Sequence, residues 1–504
     1  GKLIYELGCG PPPVRIKKLT PQILATALDD LSAAEAHDWS PGGNWTRAGQ
    51  LTIEPLAPRH VPGSHIPGSP SAQALDSDTN AAYRAALARL FARTGGAWRL
   101  GLERVSALLE ALGNPQRAYP VFHVAGTNGK GSTVATLDAV MRHAGLRVAR
   151  YTSPHLVNFN ERVIVDGQPM RRESITAWLT ANEPLLAELG ATFFEATTAM
   201  ALSHFANAGA EVAIVEVGLG GRLDATNVVE PIAAGVTQIG FDHMEFLGDS
   251  LLQIANEKAG IFKAGRAAII GETRPDIRDV LVAHAEAIGA SPILATGRDW
   301  QVRDVALAES GTTFTLRTGG RERRLSTPLV GTFQAHNAAV AFAMLEGAGP
   351  PWKHIAERGA GGLTDVRLSG RFHHWGPWLF DVAHNADGAA SVVANVRATG
   401  LPLPVVAVVT VLRDKDWRGI LRAVSTVADR IFLTSAPTAP ASRAWDLNEV
   451  AAWTREVAIS ATRVDDFDEA LRQAELTGST ILVTGSFHTV GDAMERLQVD
   501  PLAR

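Results

Sequence analysis

Cysteine is nearly absent. Cys9 stands alone among 504 residues, which excludes an internal disulfide and any metal site built on paired thiolates. Long apolar runs are missing as well, so no segment reaches the roughly 20 residues that a membrane-spanning helix needs. Charge of one sign is equally scarce: 47 lysines and arginines face 52 aspartates and glutamates. A net charge of −5 gives no reason to expect nucleic acid or an anionic membrane as a partner. The opening residues lack the basic, apolar and small-residue order of a signal peptide, so a cytoplasmic enzyme or binding protein is expected. What remains is ordinary for a folded chain, with 46% apolar and 20% charged residues, and the length predicts two or three domains.

Residues 1–78 read apart from the rest. "GCGPPPVRIKK", "SPGGNW" and "HVPGSHIPGSPSAQALDSD" are rich in Pro, Gly and Ser, which predicts an extension of loop or disorder. One short helix is expected there over 21–31, with Thr20 as N-cap and Pro21 at its first position. From residue 79 the pattern is α/β. A helix is predicted over 80–93, and apolar strands at 121–124, 148–152, 212–217, 233–239 and 267–270. Helical segments separate several of them, which predicts a mostly parallel sheet covered on both faces. A more polar β stretch follows at 312–325, and "GAGPPW" with the glycines after it reads as a domain junction near 347. A second strand–helix series, with strands at 378–382, 405–411, 430–434 and 480–483, predicts a smaller α/β domain over 347–504, after a central domain over 79–346.

The stretch "HVAGTNGKGSTVATL" (123–137) carries the first chemistry. An apolar strand, a glycine turn and a helix start follow one another, the arrangement that cradles phosphate. Gly126, Gly129 and Gly131 let the backbone approach phosphate oxygens, Lys130 adds a cation, and Ser132 and Thr133 add hydroxyls. The common P-loop pattern G-x-x-x-x-G-K-[ST] asks for glycine at 124 and a hydroxyl at 131, where this chain has Val124 and Gly131. A tight turn without a ligand is the plain alternative. Three more loops fall at predicted strand ends: "TSPHLVNFNERV" with Ser153 and His155, "VEVGLGGRLDATN" with Glu216, and "IGFDHMEFLGDSLLQIANEKAGIFK" with Asp242, His243 and Lys258. At the carboxyl ends of parallel strands such side chains converge on one crevice. There a hydroxyl, a carboxylate and an imidazole suit Mg²⁺ shared with ATP phosphates.

The ordered set GTNGKGS, TSPHL, FFEATT, EVGLGGRLDATN, GFDHMEFLG, EKAGIFK, AHNAA, SGRF and DVAHN resembles the folylpolyglutamate synthase/dihydrofolate synthase family of the Mur-ligase superfamily. The likeness runs over about residues 80–495. That family carries a GTxGKG[ST] loop, so Val124 and Gly131 fit it. The resemblance implies a P-loop, Mur-ligase-like central ATPase domain and a smaller Rossmann-like C-terminal α/β domain. It implies a ligase that joins L-glutamate to dihydropteroate or a reduced folate, using ATP and Mg²⁺, with K⁺ as a candidate further cation. A monomer acting on small molecules is expected.

Residue by residue, the resemblance assigns ATP contacts to Gly126, Thr127, Asn128, Gly129, Lys130, Gly131, Ser132, Asn337, Arg371 and Asp381. It assigns magnesium to Ser153, Glu216 and His243, and catalytic roles to Lys130, Lys258, His384 and Arg371. Lys258 matches a lysine that the family carries as a carbamate. The acceptor pocket maps to Arg99, Leu100, Gly101, Leu102, Thr192, Phe193, Phe194, Glu195, Leu223, Asp224 and Ala225. Two features depart from the pattern: Arg99 replaces an acidic or small polar residue, and "SFHTVGD" puts His488 at an aromatic position. The rival readings are a Mur-type ligase acting on a UDP-muramoyl acceptor and a nucleotide-binding regulator without catalysis. The presence of Ser153, Glu216, His243 and Lys258 speaks against the second.

Overall fold

The structure is a computed structural model that describes residues 72–94 and 101–503. The helix expected over 21–31 lies outside them, as do Arg99 and Leu100. The first sheet contains β1 (Val121–Ala125), β2 (Val148–Tyr151), β3 (Val163–Val165), β4 (Gln168–Pro169), β5 (Val212–Glu216), β6 (Ala233–Val236), β7 (Ala267–Ile270) and β8 (Ile293–Ala295). Their order is β4-β3-β2-β5-β1-β6-β7-β8. All neighbours pair in parallel except β3 and β4, which add an antiparallel edge.

Every residue of β1, β5, β6 and β7 is buried, as expected for strands covered on both faces. Period-two alternation divides their side chains between the two faces of the sheet. Phe122, Val124, Ile214 and Ile269 face one layer, while Val121, Ala213, Ala234 and Ile270 face the other. On the first face lies the helix Lys130–His143, whose Val134, Leu137, Val140 and Met141 pack on the sheet as predicted. Its burial is wider than one stripe and runs unbroken from Ser132 to Met141. The helix Thr332–Gly347, apolar on all sides, covers its outer flank. The polar stretch after β8 is a three-stranded antiparallel meander of β9 (Trp300–Ala308), β10 (Gly311–Thr318) and β11 (Arg321–Thr327).

The glycines after residue 347 belong to packing against the first sheet's layers. The helix Trp352–Arg358 and the turn Ala360–Asp365 send Ile355, Ala356, Leu363 and Val366 into the first core. A Cβ at Gly362 would stand 2.5 Å from the carbonyl oxygen of Ala139, so glycine is what admits the close backbone approach. The change of core therefore falls near residue 370, beyond where composition put it. The second sheet follows: β12 (His373–Trp375), β13 (Trp378–Phe380), β14 (Val405–Val409), β15 (Arg430–Leu433), β16 (Ala461–Arg463) and β17 (Thr480–Thr484). Its order is β12-β13-β17-β14-β15-β16, parallel apart from the β12 edge. Helices on its two faces complete two further cores. Among the described residues no helix is long and apolar enough to cross a membrane.

Candidate active site

The carboxyl ends of β1, β2, β5 and β6 open on one cleft of about 1210 Å³. Its opposite wall comes from the loops that follow β13, β14 and β17. Every described residue assigned a site role lines it except Leu102. Leu102 precedes the helix Glu103–Ala111 and packs against the core beneath that helix, so its assignment to the acceptor pocket is not supported.

The loop after β1 takes its shape from two glycines with positive φ, Gly126 at 148° and Gly129 at 96°. Asn337 occupies the space where a Cβ on Gly129 would lie, which fixes its carboxamide against the loop. Thr127 both donates to and accepts from the backbone of Gly240, at 3.1 and 3.0 Å, and ties the loop to the segment after β6. Lys130 opens the helix and folds back. Its Nζ donates to the carbonyls of Gly126 and Thr127 at 3.0 and 3.2 Å. The cation thus lies over the N–H groups that a helix start aims at an anion.

Parallel register sets Val124 beside Glu216 and brings the carboxylate to the loop. A Cβ on Gly131 would stand 3.8 Å from Oε2 of Glu216, and the backbone N–H of Ser153 donates to that oxygen at 3.4 Å. Burial raises the pKa of Glu216, opposed by Lys130 and then Arg371. His243 sits in the left-handed region at φ 51°. Its pKa is pushed down to about 4, chiefly by burial, which keeps the imidazole neutral and able to accept a metal. Among the described residues there is no cluster of three or more His, Cys, Asp or Glu that could hold an ion. Glu216, His243 and Ser153 offer instead one carboxylate, one imidazole and one hydroxyl. That sparse set suits Mg²⁺, which is held by one or two carboxylates together with waters and substrate phosphates.

Lys258 is buried beside the same loop, and its Nζ donates to the Gly126 carbonyl at 3.0 Å. Burial, followed by Lys130, pushes its pKa down to about 7, so an uncharged amine is available near neutrality.

From the second sheet, Asp381 accepts the N–H groups of Phe372 and Ala383, both at 2.9 Å. Burial pushes its pKa up to about 6 against the pull of Arg371. Arg371 is half-buried, with its guanidinium 5.3 Å from the ring centroid of Phe487. His384 Nδ1 donates to the Val382 carbonyl at 3.0 Å, while Nε2 lies 3.4 Å from Asp242. Asp242 also receives Nζ of Lys415 at 2.5 Å. Burial alone would raise the Asp242 carboxyl, but His384, His243 and Lys415 together hold it far below the usual range. Asn385 Nδ2 donates to Asn128 Oδ1 at 3.2 Å, a further link between the walls.

On the acceptor side, Thr192 caps the helix Phe193–Asn207 in a reciprocal box with Glu195. Glu195 also pairs with Arg104 at 3.0 Å, so its carboxylate is already engaged in holding the wall. Phe193 stacks on Phe91 with centroids 5.1 Å apart. Asp224 accepts from Leu219 and Thr226 N–H groups and holds Leu223 and Ala225 at the cleft. Gly101 lines the cleft as well. Sequence reasoning missed Phe91, Arg162 and Lys415. Their only local signals were a basic residue after "FNE" and a lysine between aspartates after an apolar strand.

Comparison with known proteins gives the family. Residues 124–345 match the family described as Mur ligase middle domain, and residues 370–487 match Mur ligase, glutamate ligase domain. A dihydrofolate synthase/folylpolyglutamate synthase of Bacillus subtilis is 31% identical over 440 residues, spanning 83% of this chain and 99% of the relative. One from Escherichia coli is 37% identical over 399 residues, spanning 79% and 91%. Mycobacterium tuberculosis folylpolyglutamate synthase complexed with ADP superposes with a TM-score of 0.76 at 33% identity, covering 84% of this chain and 100% of that one. A bifunctional synthase with Mn, AMPPNP and L-glutamate bound gives 0.72 at 34% identity, covering 82% and 98%.

Proposed function

The chain belongs to the dihydrofolate synthase/folylpolyglutamate synthase family, and from that premise we propose how its residues divide the work of the reaction. It is an ATP-dependent ligase of the Mur superfamily that joins L-glutamate to dihydropteroate and/or to folate (poly)glutamates. A carboxylate oxygen of the acceptor attacks the γ-phosphorus of ATP, ADP leaves, and an acyl phosphate forms. The α-amino nitrogen of glutamate then attacks the acyl carbon, loses a proton and displaces phosphate, which leaves an amide.

Two anions must meet in the first step, so the site has to supply positive charge. Lys130 and the helix start of Lys130–His143 receive the phosphates from one wall. Arg371 approaches from the other, oriented over Phe487 and next to Asp381. Asn337 supports the loop through Gly129. Ser153, Glu216 and His243 would hold the divalent metal, which when bound supplies Lewis-acid charge at the phosphate oxygens. Lys258 presents an amine that is uncharged near neutral pH, the form that can take up CO₂ as a carbamate. His384 or Lys258 receives the proton of the attacking amine. Phe193, Phe194, Leu223 and Ala225 form the apolar wall for the acceptor's rings. A monomer in the cytoplasm completes the reading.

The observation that carries this assignment is that Lys130, Glu216 and Arg371, from the two sheets, line one cleft. The test is ADP release with glutamate and either dihydropteroate or tetrahydrofolate. Glutamate-dependent release with at least one acceptor is expected; release only with a UDP-muramoyl acceptor would overturn the reading.

A further inference from the structure

Arg162 takes no part in the scheme above, yet it is placed where a substrate anion must pass. The residue is 7% exposed and lies in the cleft wall. Its Nε donates to Nδ1 of His155 at 2.8 Å, and the Tyr151 side chain lies against the guanidinium. Among the described residues no carboxylate forms an ion pair with it. Glu161, its neighbour in sequence, has its oxygens occupied by the N–H groups of Leu156, Val157 and Asn158, at 2.8, 2.9 and 2.5 Å. Other cleft cations are engaged: Arg93 with Glu183, Lys415 with Asp242 and Arg443 with Asp414, while Lys130 and Lys258 donate to loop carbonyls.

The guanidinium is held in a defined pose. Its centre lies 5.3 Å from the ring centroid of Phe193 and 5.8 Å from that of Phe159. Phe193 belongs to the acceptor wall, and Arg162 lines the same cleft as Ser153, Glu216 and the loop 126–132. The group therefore faces the cleft from the aromatic pocket's side, and the phosphate loop lines that same cleft. A buried guanidinium without a counter-ion is costly, and an arriving carboxylate removes that cost. The planar fork is also suited to carboxylate oxygens, and no carboxylate occupies it.

Resting on the ligase reading, we infer that the Nη edge of Arg162 binds one oxygen of the acceptor carboxylate that is activated. The second oxygen stays free to attack the γ-phosphorus. The held oxygen becomes the carbonyl oxygen of the acyl phosphate and carries the negative charge when the glutamate amine adds. Arg162 thus acts in both steps, first as an anchor and then as an oxyanion donor.

Binding of pteroate and of its uncharged carboxamide to the ADP-loaded enzyme, measured by calorimetry, tests the assignment. The wild-type chain should prefer the acid by on the order of 10- to 100-fold, the range of a hydrogen bond between charged groups. Arg162→Met should bind both alike while its ADP affinity stays within about 2-fold of wild type, since no loop contact is touched. A variant that binds ADP normally and keeps the preference overturns the inference. If Arg162→Met does not bind ADP, Arg162→Lys decides: losing the fork should cut the preference by about 5-fold or more, and an undiminished preference is fatal. A wild-type chain that binds ADP but neither pteroate nor folate overturns the ligase reading and this inference with it.

Discussion

Lys130 and Glu216 meet at the same loop but serve different partners, and substitution separates them. Lys130→Ala removes the cation held over the carbonyls of Gly126 and Thr127, so ATP affinity and acyl-phosphate formation should both fall. Glu216→Ala leaves that cation in place, so ATP binding should suffer less while turnover is lost. A fall on the order of 10²–10³ is expected in either case. Near-normal ADP release by either variant, followed in a coupled assay, would contradict the site. His123 lies outside the cleft and makes a stability prediction. Its wholly buried Nε2 meets Thr226 Oγ1 at 2.9 Å, and that hydroxyl donates onward to Asp224. Burial pushes the pKa down to about 3 from 6.5. Between those values the unfolded chain binds a proton that the fold does not, so stability falls as pH drops from 6.5 to about 3. His123→Phe should cost about 1–3 kcal/mol at pH 8, by leaving Thr226 without its donor, and should flatten the acid slope. Urea titrations at pH 8, 6 and 5 measure both, and an unchanged slope would refute the assignment.

At the scale of elements, the turn from β1 into the helix Lys130–His143 depends on two glycines for different reasons than the turn that ends the helix. Gly129 has φ 96° and Asn337 in the place of its Cβ, whereas Gly145 has φ 88° with open space around it. Gly145→Ala should therefore cost about 1 kcal/mol of stability and leave ATP binding untouched. Gly129→Ala should displace Asn337 and weaken ATP binding by roughly 10-fold or more, since an ångström-scale misplacement disrupts a positioned site. Equal ATP affinities for the two variants would show that Asn337 does not support the loop. The same contrast explains what could be read in advance. β1, β5 and β7 were legible because burial on both faces demands unbroken apolar runs. The edge strands β12, "HHW", and β16, "ATR", have partly exposed residues and no such run, and they were missed. Gly359 and Gly362 read as a linker because composition cannot distinguish a glycine that turns from one that admits a neighbouring backbone.

For the whole molecule, legibility fell with sequence separation. Glu216 ends β5, and Ser153 and His243 lie in the loops after β2 and β6 within quoted motifs, whereas Lys415 matters through Asp242, 173 residues away. All assigned site residues lie at or after 99, and the described cores are built from Tyr83 onward. Removing residues 1–71 should therefore leave ligase activity within about 2-fold, since no assigned site residue and no described core residue is lost. A loss of ADP release in that truncation would place a needed element in the extension. Closure of the cleft rests on sturdier ground. Asp242 from the first sheet's side takes Lys415 and His384 from the second, Asn128 meets Asn385, and Gly491 lets a helix approach the Leu156 carbonyl. Lys415 has 8% of its side chain exposed and Asp242 has 10%. Breaking a buried pair on one side leaves an uncompensated charge at a cost of about 3–5 kcal/mol, which opposes closure. Because phosphate contacts come from both walls, a chain that closes less often makes acyl phosphate more slowly even when ATP is bound. Lys415→Met should leave ATP affinity within about 3-fold and slow acyl-phosphate formation by on the order of 10- to 100-fold, the fraction of closed molecules being what has changed. Small-angle scattering of the ADP-bound variant should show a larger radius of gyration than wild type, and Lys415→Arg should restore part of both. Identical scattering together with an unchanged rate would mean that the Asp242 pair does not hold the walls together.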